Sequence, residues 1–188
     1  KGNYAVNYGN TYSFMSQTQT SDMPPIPFLG APFAYIEVQG ITAMLGFGPP
    51  PAKGTFGFAT ITDGLSNTMA ASEVVQTQGT TVAFGTPFPD DRGNIQNGYG
   101  SGFSAYLPPN TSLPDSTYGY GCVYPSQNNP PCITGISYYY APRSRHPGGV
   151  NSLFLDGSVR FVKNTIGLIP WRAIASSQGG EVISADQF

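Results

Sequence analysis

The chain has 188 residues with 8 Lys or Arg, 10 Asp or Glu and a formal net charge of -2, so 10% of it is charged, against about a quarter in an ordinary globular domain. Its 24 Gly, 18 Pro, 12 Tyr and 12 Phe suit strands, turns and loops, and exclude a helix bundle or coiled coil, whose exposed faces need many charged side chains. A hydrophobic content of 39%, spread along the whole length, excludes a disordered chain, and a pI near 5.1 offers no general attraction for nucleic acid or an anionic membrane.

The segment KGNYAVNYGNTYSFM at the start alternates aromatic and small residues and predicts one or two short strands. Residues 21–34 hold four prolines and predict an irregular surface loop, and Tyr35 to Leu45 reads as extended again. From Phe56 to Val75 the spacing of Ile61, Leu65, Met69 and Ala70 after Asp63 predicts a short helix or helical turn feeding a strand around Glu73 to Gln76. Residues 77–135 are dominated by Gly, Pro, Asn, Ser and Tyr and form a long insertion, expected to be ordered. Within it Cys122 and Cys132 bracket GCVYPSQNNPPC, which has no His or further Cys to complete a zinc site. A disulfide there would contribute about 3 kcal/mol on the chain-entropy model and imply an extracytoplasmic compartment; two unrelated thiols are the alternative.

The C-terminal unit, about 143–188, is the most regular in pattern. Two apolar runs flank Asp156-Gly157, the dipeptide suited to a two-residue turn, and predict a hairpin of Val150–Leu155 with Ser158–Lys163. Leu153 and Leu155 share a face, as do Val159 and Phe161. LIPWRAIASSQGG then predicts one short helix, with Pro170 in its first turn, Trp171 and Ile174 on an apolar side and Gly179 as its stop. The expected fold is a single mainly β (α+β) domain over 1–188: an antiparallel sheet, two short helices and long ordered loops.

The segment RSRHPGGVNSLFLDGSVRFV, with His146 and Asp156-Gly157 at H-x9-DG spacing, resembles a family of prepilin-like secreted proteins expanded in planctomycetes. NYAVNYG from Asn3, ITDGLSNTMAASE from Ile61 and WRAIASSQGGEV from Trp171 are similar to that family in the same order. The resemblance implies the globular part of a pilin-like or pseudopilin-like protein, at the cell surface or outside it. It also implies an N-terminal prepilin helix, which the sequence from Lys1 does not contain; the expectation is a portion of a longer protein, or a member that assembles without that helix. Membrane attachment would come only through such an anchor, since no stretch here approaches ~18 consecutive apolar residues. The family's molecular activity is unassigned, so the resemblance speaks to location and architecture more than to chemistry.

His146, the only histidine, invites a reading as a catalytic base with Asp156, but scattered serines supply no nucleophile, and one His with one Asp makes a poor metal site. A structural role is favoured, with His146 bonding across the hairpin entrance to a carbonyl or to Asn151. Calcium at Asp156 would need six to eight oxygens, and the tight acidic cluster is elsewhere, at Asp90-Asp91; turn geometry already accounts for Asp156 and Gly157. Asp63-Gly64 lacks the glycines and Lys of a phosphate loop and reads as helix capping. Glu73, if buried, needs a donor, with Arg145 or Arg172 as candidates. No catalytic residue, metal or cofactor is expected.

Tyr118, Tyr120, Tyr138, Tyr139 and Tyr140 are candidate contact surfaces between subunits, where Tyr is enriched, or platforms for sugar rings. Asn110-Thr111-Ser112 fits a glycosylation sequon. Residues 143–172 carry Arg143, Arg145, Arg160, Lys163 and Arg172 against Asp156, a balance of +4, leaving three bases and nine acids elsewhere, -6. Such asymmetry suits head-to-tail association, with Arg143 and Arg145 as further contact candidates. The expected function is a structural subunit of an extracellular filament, tube or surface layer, not an enzyme, with copies of itself as partner. A cell-surface carbohydrate- or solute-binding module, with a glycan as partner, is the alternative.

Overall fold

In the computed structural model the described residues are 1–11, 25–33, 57–181 apart from 97, 99, 119, 127, 136 and 137, and 183–184; the expected extended run from Tyr35 to Leu45 lies outside them. Among these the fold is mainly β. Nine strands run in chain order: β1 (Tyr4–Asn7), β2 (Met69–Glu73), β3 (Thr80–Ala83), β4 (Thr86–Pro89), β5 (Gly102–Phe103), β6 (Asp115–Tyr118), β7 (Cys132–Gly135), β8 (Gly149–Phe154) and β9 (Val159–Lys163). Leu168–Ala173 forms the α-helix α1, and Phe58–Thr60 a single 3-10 turn. No helix is long and apolar enough to cross a membrane among the described residues.

The main sheet has the order β5-β1-β2-β8-β9, and β3-β4 and β6-β7 are separate two-stranded ladders. Pairing is mixed rather than antiparallel throughout: β1 runs parallel to β5 and β6 parallel to β7. Parallel neighbours need a crossover of a dozen or more residues. Residues 119–131 supply it for β6 and β7, and the Cys122–Cys132 disulfide closes it. That bond fits a non-reducing compartment.

One face of the sheet makes the core. Ala5, Met69, Val150, Phe154 and Val162 point inward against Phe103, against Trp171 from α1 and against Ile174, the residue that follows it. Pro170 stands in the first turn of α1, where its missing N–H costs nothing, and the Trp171 indole donates to the Leu107 carbonyl at 2.8 Å. The register of β2 against β8 shifts between Met69 and Ala71. The extra residue lets Met69 and Ala70 both be buried, and it sends Ala71 and Glu73 to the opposite face. Two rows cross that outer face: Tyr4, Glu73, Asn151 and Phe161, and beside them Val6, Ala71, Leu153 and Val159. Leu153, Val159 and Phe161, which pattern groups together, are thus on the solvent side, 37%, 65% and 43% exposed.

The helix expected after Asp63 does not form: tight turns over 62–67 take its place, the 3-10 turn precedes Asp63, and β2 begins earlier than expected, at Met69. The reason lies in the partner of Asp63. Its carboxylate accepts from the backbone N–H of Gly179 at 2.8 Å and of Gly180 at 2.7 Å, and from the Ser176 hydroxyl. Asp63 behaves as a cap, but for a segment far along the chain.

The hairpin β8–β9 forms as expected with a different turn. The Gly157 N–H donates to the Phe154 carbonyl and the Phe154 N–H to the Ser158 carbonyl, so Leu155, Asp156 and Gly157 make a three-residue loop. Gly157 alone takes the left-handed conformation (φ +86) while the Asp156 carboxylate accepts from the Ser158 N–H at 2.9 Å and hydroxyl at 2.6 Å. These bonds hold the Asp156 carboxyl below its ordinary pKa.

Candidate functional site

The four sequence signatures meet in two places. At one end of the sheet, Asn7 is fully buried, donates to the carbonyls of Met69 (2.8 Å) and Ala175 (2.9 Å), and accepts from the Gly9 N–H. There Met69 N–H also donates to Ile174 O, and the Asp156 N–H to Leu65 O. A buried amide with its partners supplied locks the first, second and fourth signatures together. This end is scaffold.

At the other end Glu73 stands on the outer face of β2. Its Oε2 accepts from the Asn151 N–H at 2.7 Å, and its Oε1 from Asn151 Nδ2 at 3.2 Å, from His146 Nε2 at 3.0 Å and from the Tyr4 hydroxyl at 3.4 Å. His146 is therefore bound to a carboxylate rather than to a carbonyl or to Asn151, and Glu73 takes its donors from His146 and Asn151 rather than from Arg145 or Arg172. Desolvation, followed by the charge and hydrogen bond of Glu73, pushes the Tyr4 hydroxyl above its ordinary pKa. Ser144 shapes the loop that delivers His146: its hydroxyl donates to Gly149 O at 2.6 Å and accepts from the His146 N–H at 3.1 Å. The Glu73 side chain is 12% exposed and the His146 side chain 55%. Asp156 belongs to the turn at the far end of β8.

Beneath this loop runs a buried ionic network. The Arg92 guanidinium donates to both Asp90 oxygens, at 3.0 and 2.8 Å, and to Asp115 Oδ2 at 3.1 Å, and Arg143 donates to Asp115 Oδ1 at 2.9 Å. Asp90, Arg92, Asp115 and Arg143 are exposed by 0%, 3%, 1% and 6%. Burial alone would raise the Asp90 carboxyl, but the Arg92 hydrogen bonds and charge, with the Val123 N–H and Thr77, outweigh it and hold the group below its ordinary pKa. Burial likewise opposes the Arg92 charge, and the two carboxylates overcome it, so the guanidinium is held above its ordinary pKa. Composition gave no hint of this network beyond the Asp90-Asp91 cluster.

Of the tyrosines expected at subunit contacts, Tyr138 and Tyr140 are buried, 6% and 3% exposed, and the intervening Tyr139 packs its ring on Tyr106 at 4.8 Å. Tyr120 packs on Phe84 and Phe88, each at 5.3 Å, and the side chain of Tyr118 lies outside the described residues. Arg143 is enclosed by Asp115 and by the carbonyls of Thr111 and Leu113. Arg145 is exposed, and no hydrogen bond or ion pair engages it among the described residues. Asn110 donates its amide to Gly149 O (3.2 Å) and Asn164 Oδ1 (2.9 Å) and accepts from the Ser144 N–H, so a glycan there would displace bonds that hold the loop.

Two polar hollows adjoin on either side of Arg143 to His146. The smaller, about 320 Å³, is walled by Glu73, Gln76, Gln78 and Asn3; the larger, about 520 Å³, by Asn110, Asn128, Asn129 and Asn164. No group of three or more His, Cys, Asp or Glu side chains able to hold a metal ion is found among the described residues.

A mainly β domain with a mixed sheet, a disulfide-closed crossover and a polar cleft is the class these observations define. Residues 4–168 match the model of the SBP_bac_10 family, described as a protein of unknown function (DUF1559), and the chain belongs to that family. No curated protein and no solved structure matches it.

Proposed function

We propose that the protein is a non-enzymatic, pilin-like structural subunit of an extracellular filament, tube or surface layer, associating with copies of itself. The observation that carries this reading is a pair of unlike apolar surfaces. One is the outer face of the main sheet, with Tyr4, Leu153, Val159 and Phe161. The other is the tip of the β3–β4 hairpin, where Val82 is 73% and Phe84 88% exposed. Phe84 and Gly85 are the two loop residues, and both take positive φ, 50° and 74°. A bulky side chain there costs about 1–2 kcal/mol in backbone strain, and Asn-Gly would fit the turn better. The Phe84 ring meets Tyr120 edge-on at 5.3 Å but leaves most of its surface in water, and keeping such a side chain at a strained tip makes sense if the rest of the ring is buried in a neighbour.

A tip that docks on a sheet face elsewhere on the next copy makes a heterologous contact, which propagates unless its rotation closes. The contact thus moves from the Tyr138–Tyr140 run, which folding consumes, to Phe84 and the sheet. A sedimentation series with electron microscopy should give concentration-dependent large species that shrink in Phe84→Asn and in Phe161→Ser, and not in Tyr139→Ala. Dispersed monomers at every concentration would remove the reading.

The alternative, a carbohydrate- or solute-binding module, is favoured by one observation, the amide-lined cleft beside His146. Glycan binding by a monomer, indifferent to Phe84→Asn, would favour it over assembly.

A further inference from the structure

The larger of the two hollows has the chemistry of a specific site. It is an open surface hollow of about 520 Å³, the kind of shallow polar groove that meets one face of a ligand, and no Asp or Glu side chain lines it among the described residues. Its walls are fixed from within the fold. Asn129 donates its amide to Gln78 O and Val123 O at 2.8 and 2.9 Å and accepts from the Gln78 N–H at 2.8 Å. Asn110 is likewise fully engaged, and Arg92 Nη1 holds the carbonyls of Pro130 and Pro131 from beneath at 2.7 and 3.3 Å.

Against these occupied wall groups stand three that folding leaves unoccupied. The Arg145 guanidinium, the Asn128 side chain and the Nδ2 of Asn164 line the hollow without a hydrogen-bond partner among the described residues. Arg145 is therefore a cation with no counter-ion among the described residues, two residues from the buried Arg143 and one from His146, whose ring is bound to Glu73. The loop that bears it is pinned at both ends, which reduces what ordering would cost on binding.

We infer that this hollow binds an acidic sugar of the uronic acid class, its carboxylate taken by Arg145 and its ring hydroxyls by Asn128 and Asn164. A planar guanidinium matches a carboxylate with two parallel N–H···O bonds. A primary amide both donates and accepts, as a hydroxyl does. The inference rests on the binding-module reading and narrows it to one ligand class and one set of residues; it requires nothing of the assembly surfaces, which lie on other elements.

Calorimetric titration of the whole chain with trigalacturonic acid, galactotriose and triglutamate tests it. Trigalacturonic acid should bind. Arg145→Gln should weaken that binding roughly tenfold or more, the scale of losing one charge-assisted pair, and Asn128→Ala by a smaller factor. Both positions are exposed, so the circular dichroism of the variants should match the parent. Galactotriose should bind at least roughly tenfold more weakly than its acidic counterpart. Equal binding of the two sugars would overturn the acidic specificity and leave the module reading standing, whereas no binding of either would remove both. Triglutamate binding as tightly as trigalacturonic acid, or acid binding unchanged in Arg145→Gln, would also overturn the inference.

Discussion

The chain contains two hairpins of similar size whose turns obey local chemistry to opposite degrees. In β8–β9 the left-handed position is Gly157, the preceding Asp156 accepts from Ser158, and the strands lie in the main sheet against the core. In β3–β4 the left-handed positions are Phe84 and Gly85, the ladder stands apart from the main sheet, and the apolar side chains of its tip face water. Such a contrast separates a turn chosen for folding from one that departs from the folding optimum, and a departure of this kind is where function is best sought. The roots of the hairpins differ as well. The first is part of the core. The second is tied down by polar bonds: Asp90 N–H to Gly79 O, the Thr81 hydroxyl to Tyr120 O, and the Arg92 network at its end.

The largest effect should come from breaking the root of β3–β4. Arg92→Met leaves Asp90 and Asp115 buried with their main counter-charge gone, and should cost about 3–5 kcal/mol in chemical denaturation. Hydrogen exchange should then rise first in residues 80–89, while β8–β9 keeps its protection. Acid reaches the same contacts. Because the Asp90 pKa is lower in the folded than in the unfolded chain, its contribution is present above the unfolded carboxylate value of about 4 and is lost as pH falls below it. Stability measured from pH 6 downward should decline in that acid range, and the decline should be smaller in Asp90→Asn.

Removing the cross-link should come next. Cys122→Ser with Cys132→Ser frees the crossover between β6 and β7 and should cost about 3 kcal/mol. Gly157→Ala should cost less, about 1–2 kcal/mol; space around the position is open, so the penalty is backbone strain alone. The smallest change, and the one of opposite sign, is Phe84→Asn: relief of about 1–2 kcal/mol of backbone strain, less about 0.5–1 kcal/mol for the lost edge contact with Tyr120, should raise stability by about 0.5–1 kcal/mol and give the β3–β4 turn the Asn-Gly pair it favours.

Features governed by neighbours in sequence were legible from it. The Asp156-Gly157 turn, the Cys122–Cys132 pairing and the apolar side of α1 follow from local chemistry. Two details differed: the loop at Asp156 is one residue longer, because Gly157 takes the left-handed conformation and Asp156 does not, and α1 ends at Ala173 rather than at Gly179, whose N–H is instead held by Asp63. What depends on register was not legible. Glu73 meets His146 and Asn151 because a bulge after Met69 turns Glu73 to the outer face beside β8, and no spacing rule encodes that. Asp63 has the chemistry of a cap, yet the N–H groups it caps belong to Gly179 and Gly180. Tyr138 and Tyr140 are buried on either side of Tyr139, a period of two that marks an extended segment rather than a contact surface. The cleft shares this origin: Asn128, Arg145 and Asn164, which line it, come from three separated segments.

The central claim is that Phe84 gives up monomer stability in favour of contact with another copy. Measuring thermal stability and sedimentation on the same preparations of the parent and Phe84→Asn tests both halves together. The account predicts a variant that melts higher and assembles less. A variant that melts higher and assembles as well as the parent would contradict it.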